Sequence, residues 1–229
     1  MIHAYGQPDA PVPRLLEALR ARGHAIGAAP GGATPDASTL LLAGGSRLDP
    51  MALGVLLGAW RSAPGARILV ISRLGAHPDA KARSLRELWT LEEHARASGI
   101  AVLTLRLAPL LGPESPLWLK LRQRPWIPRS ARSMLNPVAE SDVIETLDRA
   151  LGGKVVWDGW YAVAGPEALT LGELAEWAKA AGVPREGGRG AWEPPLLEML
   201  EHRLAEPGRW RESFGIAPRP LAEQAKEWA

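Results

Sequence analysis

Two strand-like segments joined by a helix-length segment, from Arg67 to Leu107, limit this chain's possible folds more than anything else in it. After Arg67, Ile68 to Ile71 is apolar without interruption, Ala80 to Ser98 has the length of a helix and is closed by Gly99, and Ala101 to Leu107 reads as the next strand. A strand that does not alternate with polar residues is covered on both faces, which is the environment of a parallel sheet. Parallel neighbours need a long crossover, and a helix supplies it with a right-handed turn. The segment therefore reads as a βαβ unit.

The same grammar precedes it. Met1 to Tyr5 is a strand candidate, and Val12 to Arg22 a helix with Leu15, Leu16 and Leu19 on one face and Gly23 in the C′ position. Ala25 to Ala28 is a weaker strand, followed by the loop APGGATPDA and a firmer strand at Thr39 to Ala43. Asp49-Pro50 opens a helix as cap and first-turn proline, with Leu53, Leu56, Leu57 and Trp60 inward and Pro64-Gly65 at its end. Asp79 is the expected cap of the helix from Ala80 to Ser98. The second half is more helical. Val138 to Leu151 carries Val143, Leu147 and Leu151 at four-residue spacing, and Gly159 to Val163 is a strand. Thr170 to Glu173 spells a capping box before Leu174, Trp177, Ala178 and Ala181. Pro194 to Ala205 and Leu221 to Trp228 are further helix candidates. Strands alternating with helices at these lengths predict an α/β, doubly wound parallel sheet.

Composition excludes several functions. There is no cysteine, hence no disulfide, thiolate nucleophile or zinc–sulfur site, and no other metal site is expected. No apolar run approaches the ~18 residues a membrane span needs. MIHAYGQPDAP lacks the charged and apolar regions of a signal peptide, so a soluble cytoplasmic protein with no membrane partner is expected. A net charge of +2 does not point to nucleic acid. Five lysines among the 27 basic residues, with 21 prolines, suggest a bacterial, GC-rich coding bias. Ten tryptophans scattered along the chain are read as packing.

Four stretches carry a resemblance. In LRLAPLLGP (105–113), Arg106, Gly112 and Pro113 match a strand-end segment with a Gly-Pro turn. NPVAESDVIETLDRAL (136–151) matches a "V-x-x-x-D-V" helix entry through Val138, Asp142 and Val143. DGWYAVAGPEALTLGELAEWA (158–178) gives the longest gapless match, and FGIAPRPLAEQAKEW (214–228) resembles the usual ending. Together they resemble the extended or atypical short-chain dehydrogenase/reductases, similar to the nucleotide-sugar epimerase/dehydratase and NmrA-like members. The resemblance implies one Rossmann-like domain over 1–229, with a small, mostly helical C-terminal lobe at about 114–136 and 165–229. About ten residues separate the second strand from Thr39, so the family's third strand and its helix are missing. That predicts a shortened sheet ordered 2-1-4-5-6 in the family's strand numbering.

The chemistry of the family is not carried over. In the family the tyrosine donates or accepts a proton, the lysine lowers the tyrosine's pKa, and a Ser/Thr orients a carbonyl. The alignment places Leu74, Leu85 and Trp89 at those positions, and no tyrosine lies between Tyr5 and Tyr161. Ser72, with Ser84 and Lys81 near it, and His77 are the remaining catalytic candidates, although a loop histidine before Pro78 is the plainer reading of His77. Glu92 and Glu93 match an acidic spot on the family's helix and are read as helix stabilisation, and His94 as solvated.

The glycine loop that cradles a pyrophosphate is reduced to Gly6 in Gly6-Gln7-Pro8-Asp9-Ala10-Pro11. Prolines have no N–H to give, and Asp9 repels phosphate. The end of the second strand, Gly27-Ala28-Ala29-Pro30, also lacks a ribose-binding acid. If a dinucleotide does bind, Gly6, Gln7, Ala43, Gly44, Ser72 and Ala108 are the residues placed to hold it. Lys120 to Arg132 is basic, and Arg122, Arg124 and Arg129 are candidates for a phosphate or carboxylate clamp beside Trp118 and Trp126.

The sequence therefore favours a relative that needs no cofactor and senses a small molecule or binds a protein, in a form compatible with a homo-oligomer. The alternative is an oxidoreductase or nucleotide-sugar epimerase/dehydratase using NAD or NADP through atypical contacts.

Overall fold

The apolar runs become the strands expected of them. The computed structural model describes residues 2–5, 12–29, 39–43, 49–123, 133–157, 159–180 and 201–228. Its main sheet is built from β1 (Ile2–Tyr5), β2 (Ile26–Ala28), β3 (Thr39–Ala43), β4 (Arg67–Arg73), β5 (Ala101–Leu107) and β9 (Trp160–Val163). The order is β2-β1-β3-β4-β5-β9. The first five positions are those expected of a sheet without the third strand, and β9 adds an edge beyond β5. Pairings of β1 with β2 and β3, and of β3 with β4, are parallel. Thr104 N–H donates to the Gly159 carbonyl and Ala108 N–H to that of Val163, so β9 also runs with β5.

The helices on the first part of the sheet follow the sequence with one correction. Helices α1 (Val12–Ala21) and α2 (Pro50–Arg61) start and stop where expected, and the Asp49 carboxylate accepts the Met51 N–H at 2.9 Å. Helix α3 begins at Arg83, not at Ala80, and its cap Ala82 makes no side-chain cap bond. Asp79 lies in a turn instead. The Arg86 guanidinium reaches back to the carbonyls of Ala80 and Lys81 at 2.5 and 2.8 Å, which satisfies those groups outside the helix. Leu40, Leu42, Ile68 and Val70 are fully buried from the sheet, and Leu53, Leu56, Leu57, Trp60, Leu85, Leu88 and Leu91 pack on them from α2 and α3.

The second half is richer in short pieces than the sequence suggests. It contains β6 (Leu110–Leu111), α4 (Pro116–Arg122), β7 (Met134–Leu135), β8 (Val138–Ala139), α5 (Glu140–Leu151), β10 (Leu169–Thr170) and α6 (Leu171–Ala180). Two more helices follow, Gly208–Phe214 and Leu221–Gln224, and the latter runs into a 3-10 turn at Ala225–Glu227. Val138 and Ala139 pair with β6 before the helix starts, so α5 begins two residues later than its periodicity predicts. The capping box forms as read: the Glu173 carboxylate accepts the Thr170 N–H at 2.7 Å, and the Thr170 hydroxyl accepts the Glu173 N–H at 3.1 Å. Of the expected helix from Pro194, residues 194–200 lie outside the described residues. Residues 201–205 are not helical, and Arg203 bridges to Leu135.

The chain divides into two compact units, residues 1–106 with 147–161 and residues 107–146 with 162–229. Among the described residues no helix is long and apolar enough to cross a membrane.

Candidate functional site

In the first unit, the chain leaves β1 through α1 to β2 on one side and then returns to β3 on the other. The strand order reverses there, and in open parallel sheets the crevice outside the carboxyl ends of such strands is where ligands bind. Tyr5 pairs with Leu42 and Ala43 with Ile71, so β1 and β3 end within one residue of each other and β4 continues beyond them to Arg73. Ala43 is buried at this edge. Gly6, Gln7 and Gly44, together with Pro8 and Asp9, fall outside the described residues.

Ser72 follows Ile71 on β4 and is buried, with its hydroxyl donating to Glu92 Oε1 at 2.5 Å. Arg106 on β5 binds the same carboxylate with Nε at 3.1 and 3.2 Å and Nη2 at 2.6 Å. The Glu92 side chain is 0% exposed and that of Arg106 14%. Trp89 and Trp160 sit on the guanidinium, with centroids 5.5 and 4.7 Å away. Glu92 is thus the centre of a buried ionic network, where its sequence position suggests helix stabilisation. Sequence reasoning missed it because its cation lies on a different element. The only available signal was the joint appearance of an acid in the acidic spot of α3 and an arginine in the strand-end motif.

The network also fixes the face of α3. Residues four apart on a helix share a face. Ser84 and Leu88 therefore lie on the stripe of Glu92, which meets Ser72 on β4, one residue from the Leu85–Trp89 pair chosen by alignment. Leu85, Leu88 and Leu74 are all buried. Neither stripe carries a tyrosine or a lysine. His77 is 60% exposed at the side chain, its Nδ1 accepts the Asp79 N–H at 3.2 Å, and its ring lies 5.7 Å from that of Trp89. His94 bonds the Thr90 carbonyl through Nδ1 at 2.8 Å.

The second unit uses its motif residues for internal wiring. A Cβ on Gly112 would overlap the Glu140 carboxylate, and one on Gly165 would overlap the Pro137 carbonyl oxygen. Asn136 is buried, donates Nδ2 to the Ala205 carbonyl at 2.7 Å and accepts the Ala205 N–H at 3.2 Å. Ser115 caps α4 and also accepts the Gly112 N–H at 3.1 Å. Thr146 donates to the Asp142 carbonyl and accepts the buried Trp210 indole N–H at 3.1 Å. Burial pushes the Asp142 carboxyl above its ordinary pKa, against the pull of the Gln224 amide and Arg219. Ala108 is buried in this unit, Arg122 ends α4, and Arg124 and Arg129 lie outside the described residues. No three His, Asp or Glu side chains cluster as a metal site among the described residues.

No protein-family model matches the sequence, and no curated protein matches it either. Solved structures do. UDP-glucose 4-epimerase from Thermotoga maritima, solved with UDP-glucose, superposes with a TM-score of 0.70 over 99% of this chain and 96% of its own, at 13% identity. The chain has the fold of the NAD-dependent epimerase/dehydratase group of short-chain dehydrogenase/reductases. The Bordetella bronchiseptica enzyme WbmH in complex with NAD+ gives 0.68 over 98% and 95% at 17% identity. Thermus thermophilus UDP-glucose 4-epimerase, in complex with NAD, gives 0.65 over 99% and 97% at 15% identity.

The expectation that the chain needs no cofactor does not stand, because structures that share this fold from end to end are NAD complexes. That expectation rested on counting glycines after β1, at positions outside the described residues. What makes the crevice is the reversal of strand order between β1 and β3, and the chain keeps it.

Proposed function

We propose that this chain binds NAD at the carboxyl ends of β1, β3 and β4 and acts as an oxidoreductase of the nucleotide-sugar epimerase/dehydratase type, with atypical cofactor contacts. The observation that carries the reading is the strand order with its reversal at β1, kept in a chain that superposes end to end on UDP-glucose 4-epimerase. Ala43, with only a methyl side chain, leaves room at the end of β3. When bound, the nicotinamide supplies the hydride chemistry. The chain must then move a proton without a tyrosine. The Ser72 hydroxyl donates to Glu92, so it is held as a donor to a carboxylate and is a poor base. His77, exposed just past the same strand, is the titratable group that can carry a proton, directly or through water.

A second reading is favoured by the apolar residues on α3. Leu85 and Leu88 fill the two candidate tyrosine and lysine faces with buried hydrocarbon, which suits a chain that holds the dinucleotide as a ligand and passes the signal to a partner.

Thermal unfolding with NADH and NADPH tests the binding. A ligand at 100 times its dissociation constant adds about 2.7 kcal/mol, a shift of several degrees for a domain of this size. A shift followed by turnover of a UDP-sugar that falls in His77→Ala supports the enzyme. A shift with no turnover of any UDP-sugar supports the second reading. No shift at about 100 times the usual micromolar dissociation constants sinks both.

A further inference from the structure

A pocket of about 320 Å³ opens in the first unit, lined by Arg96 at the end of α3, Ala101 and Thr104 on β5, and Trp157 and Trp160 leading into β9. It sits toward the amino ends of β5 and β9, whereas the dinucleotide crevice of a parallel sheet lies at the carboxyl ends. The proposed function makes no use of it.

Its walls are chemically specific. The indole N–H of Trp157 is buried and has no hydrogen-bond partner among the described residues. A buried donor without an acceptor is destabilising, and an incoming acceptor would remove that cost. Trp160 offers exposed indole surface. Positive charge surrounds both rings, with the Arg67 guanidinium 4.5 Å from the Trp157 ring and that of Arg106 4.7 Å from Trp160. Arg106 is neutralised by Glu92. Among the described residues Arg67 bonds neutral groups, the Thr39 hydroxyl at 2.8 Å and the Leu151 carbonyl at 3.2 Å, and burial lowers its pKa. Arg96 is more than half exposed and spends Nη1 on Glu93, which leaves the rest of its five-donor fork for a ligand.

We propose that this pocket is a second binding site, for a planar aromatic anion: a flat ring that stacks at Trp160, an acceptor for the Trp157 N–H, and an anionic group on Arg96. The volume suits one such ring, at the lower end of small-molecule sites. A nucleoside monophosphate and an aromatic carboxylate both have this chemistry.

Calorimetric titration of the full chain with adenosine 5′-monophosphate in one arm and indole-3-acetate in the other tests the site, each with and without saturating NADH. Two exposed-residue variants read it out: Ala101→Phe fills the pocket and Arg96→Gln removes the cation. Binding of either probe, weakened about tenfold or more by each variant and unchanged by NADH, supports the site and names its source. Failure of both probes to bind at about 5 mM overturns it, as does binding that neither variant weakens or that NADH displaces. The variants leave the carboxyl ends of β1, β3 and β4 untouched, so NADH binding is scored separately.

Discussion

The end of β4 and the segment from Gly112 to Gly165 were both matched to one family, and their residues do different work. In the second unit, the matched residues do steric and hydrogen-bonding work: Gly112 and Gly165 allow backbone approach that a Cβ would block, and Asn136 ties three chain segments together. Beside β4, the aligned positions Leu74 and Leu85 are buried hydrocarbon, and the polar groups brought together are the Glu92–Arg106 pair with Ser72 on it. Motif content of this kind reports the fold, and the site must be argued on its own side chains.

The largest effect expected from breaking this comparison is at Arg106. Arg106→Leu leaves the Glu92 carboxylate buried with one neutral donor, and losing one partner of a buried pair costs about 3–5 kcal/mol. Replacing both, in Glu92→Leu with Arg106→Leu, is expected to regain most of that in urea unfolding. If the double variant is as unstable as the single one, the pair stabilises in a way the burial argument does not capture. A double variant that folds but no longer binds NADH would move the network from scaffold to site.

A smaller effect tests the second unit. Gly165→Ala pushes a methyl group into the Pro137 carbonyl and disturbs the strand end that Asn136 holds, and a strain of this kind costs about 1–3 kcal/mol. Gly172 in α6 is the control: a Cβ there meets only the Thr170 hydroxyl at 3.8 Å, and alanine in a helix should be neutral or stabilising by up to about 1 kcal/mol. Equal melting temperatures for the two variants would mean that Gly165 is not a steric requirement.

The same distinction explains how much the sequence disclosed. Local chemistry was legible: Asp49-Pro50 and Thr170–Glu173 each fix a helix start within four residues, and the leucine-rich strands announce a covered sheet. The failures lie where a distant partner decides. Asp79 has the right chemistry for a cap, but Arg86 holds the carbonyls of Ala80 and Lys81 outside the helix. Glu92 looks like one of two adjacent surface acids until Arg106, fourteen residues on, is brought against it. The two-residue strands β6, β7, β8 and β10 have no periodicity to detect, and their pairing alone defines them. At the site, the missing dyad was legible as composition, whereas the face of α3 was not, because one residue of register separates Leu85 from Ser84.

The smallest effect concerns Asp142, a family-matched acid whose burial in the second unit raises its pKa. A carboxyl with a folded-state pKa above the unfolded value of about 3.9 imposes its charge-burial cost at neutral pH. As pH falls through the raised value the folded state takes up the proton first, so the cost is relieved in mild acid and has gone below the unfolded pKa. Asp142→Asn removes that dependence while keeping an acceptor for the Gln224 amide, which donates to Oδ2 at 3.2 Å. It also removes a charge from the first turn of α5, worth about 0.3–1 kcal/mol to the helix, so the net change at neutral pH is small. The informative quantity is the slope. Between neutral pH and the unfolded pKa the wild type should gain stability relative to Asp142→Asn in parallel urea titrations. Two profiles that stay parallel throughout would show that Asp142 is well solvated and that its place in the motif is not maintained by burial.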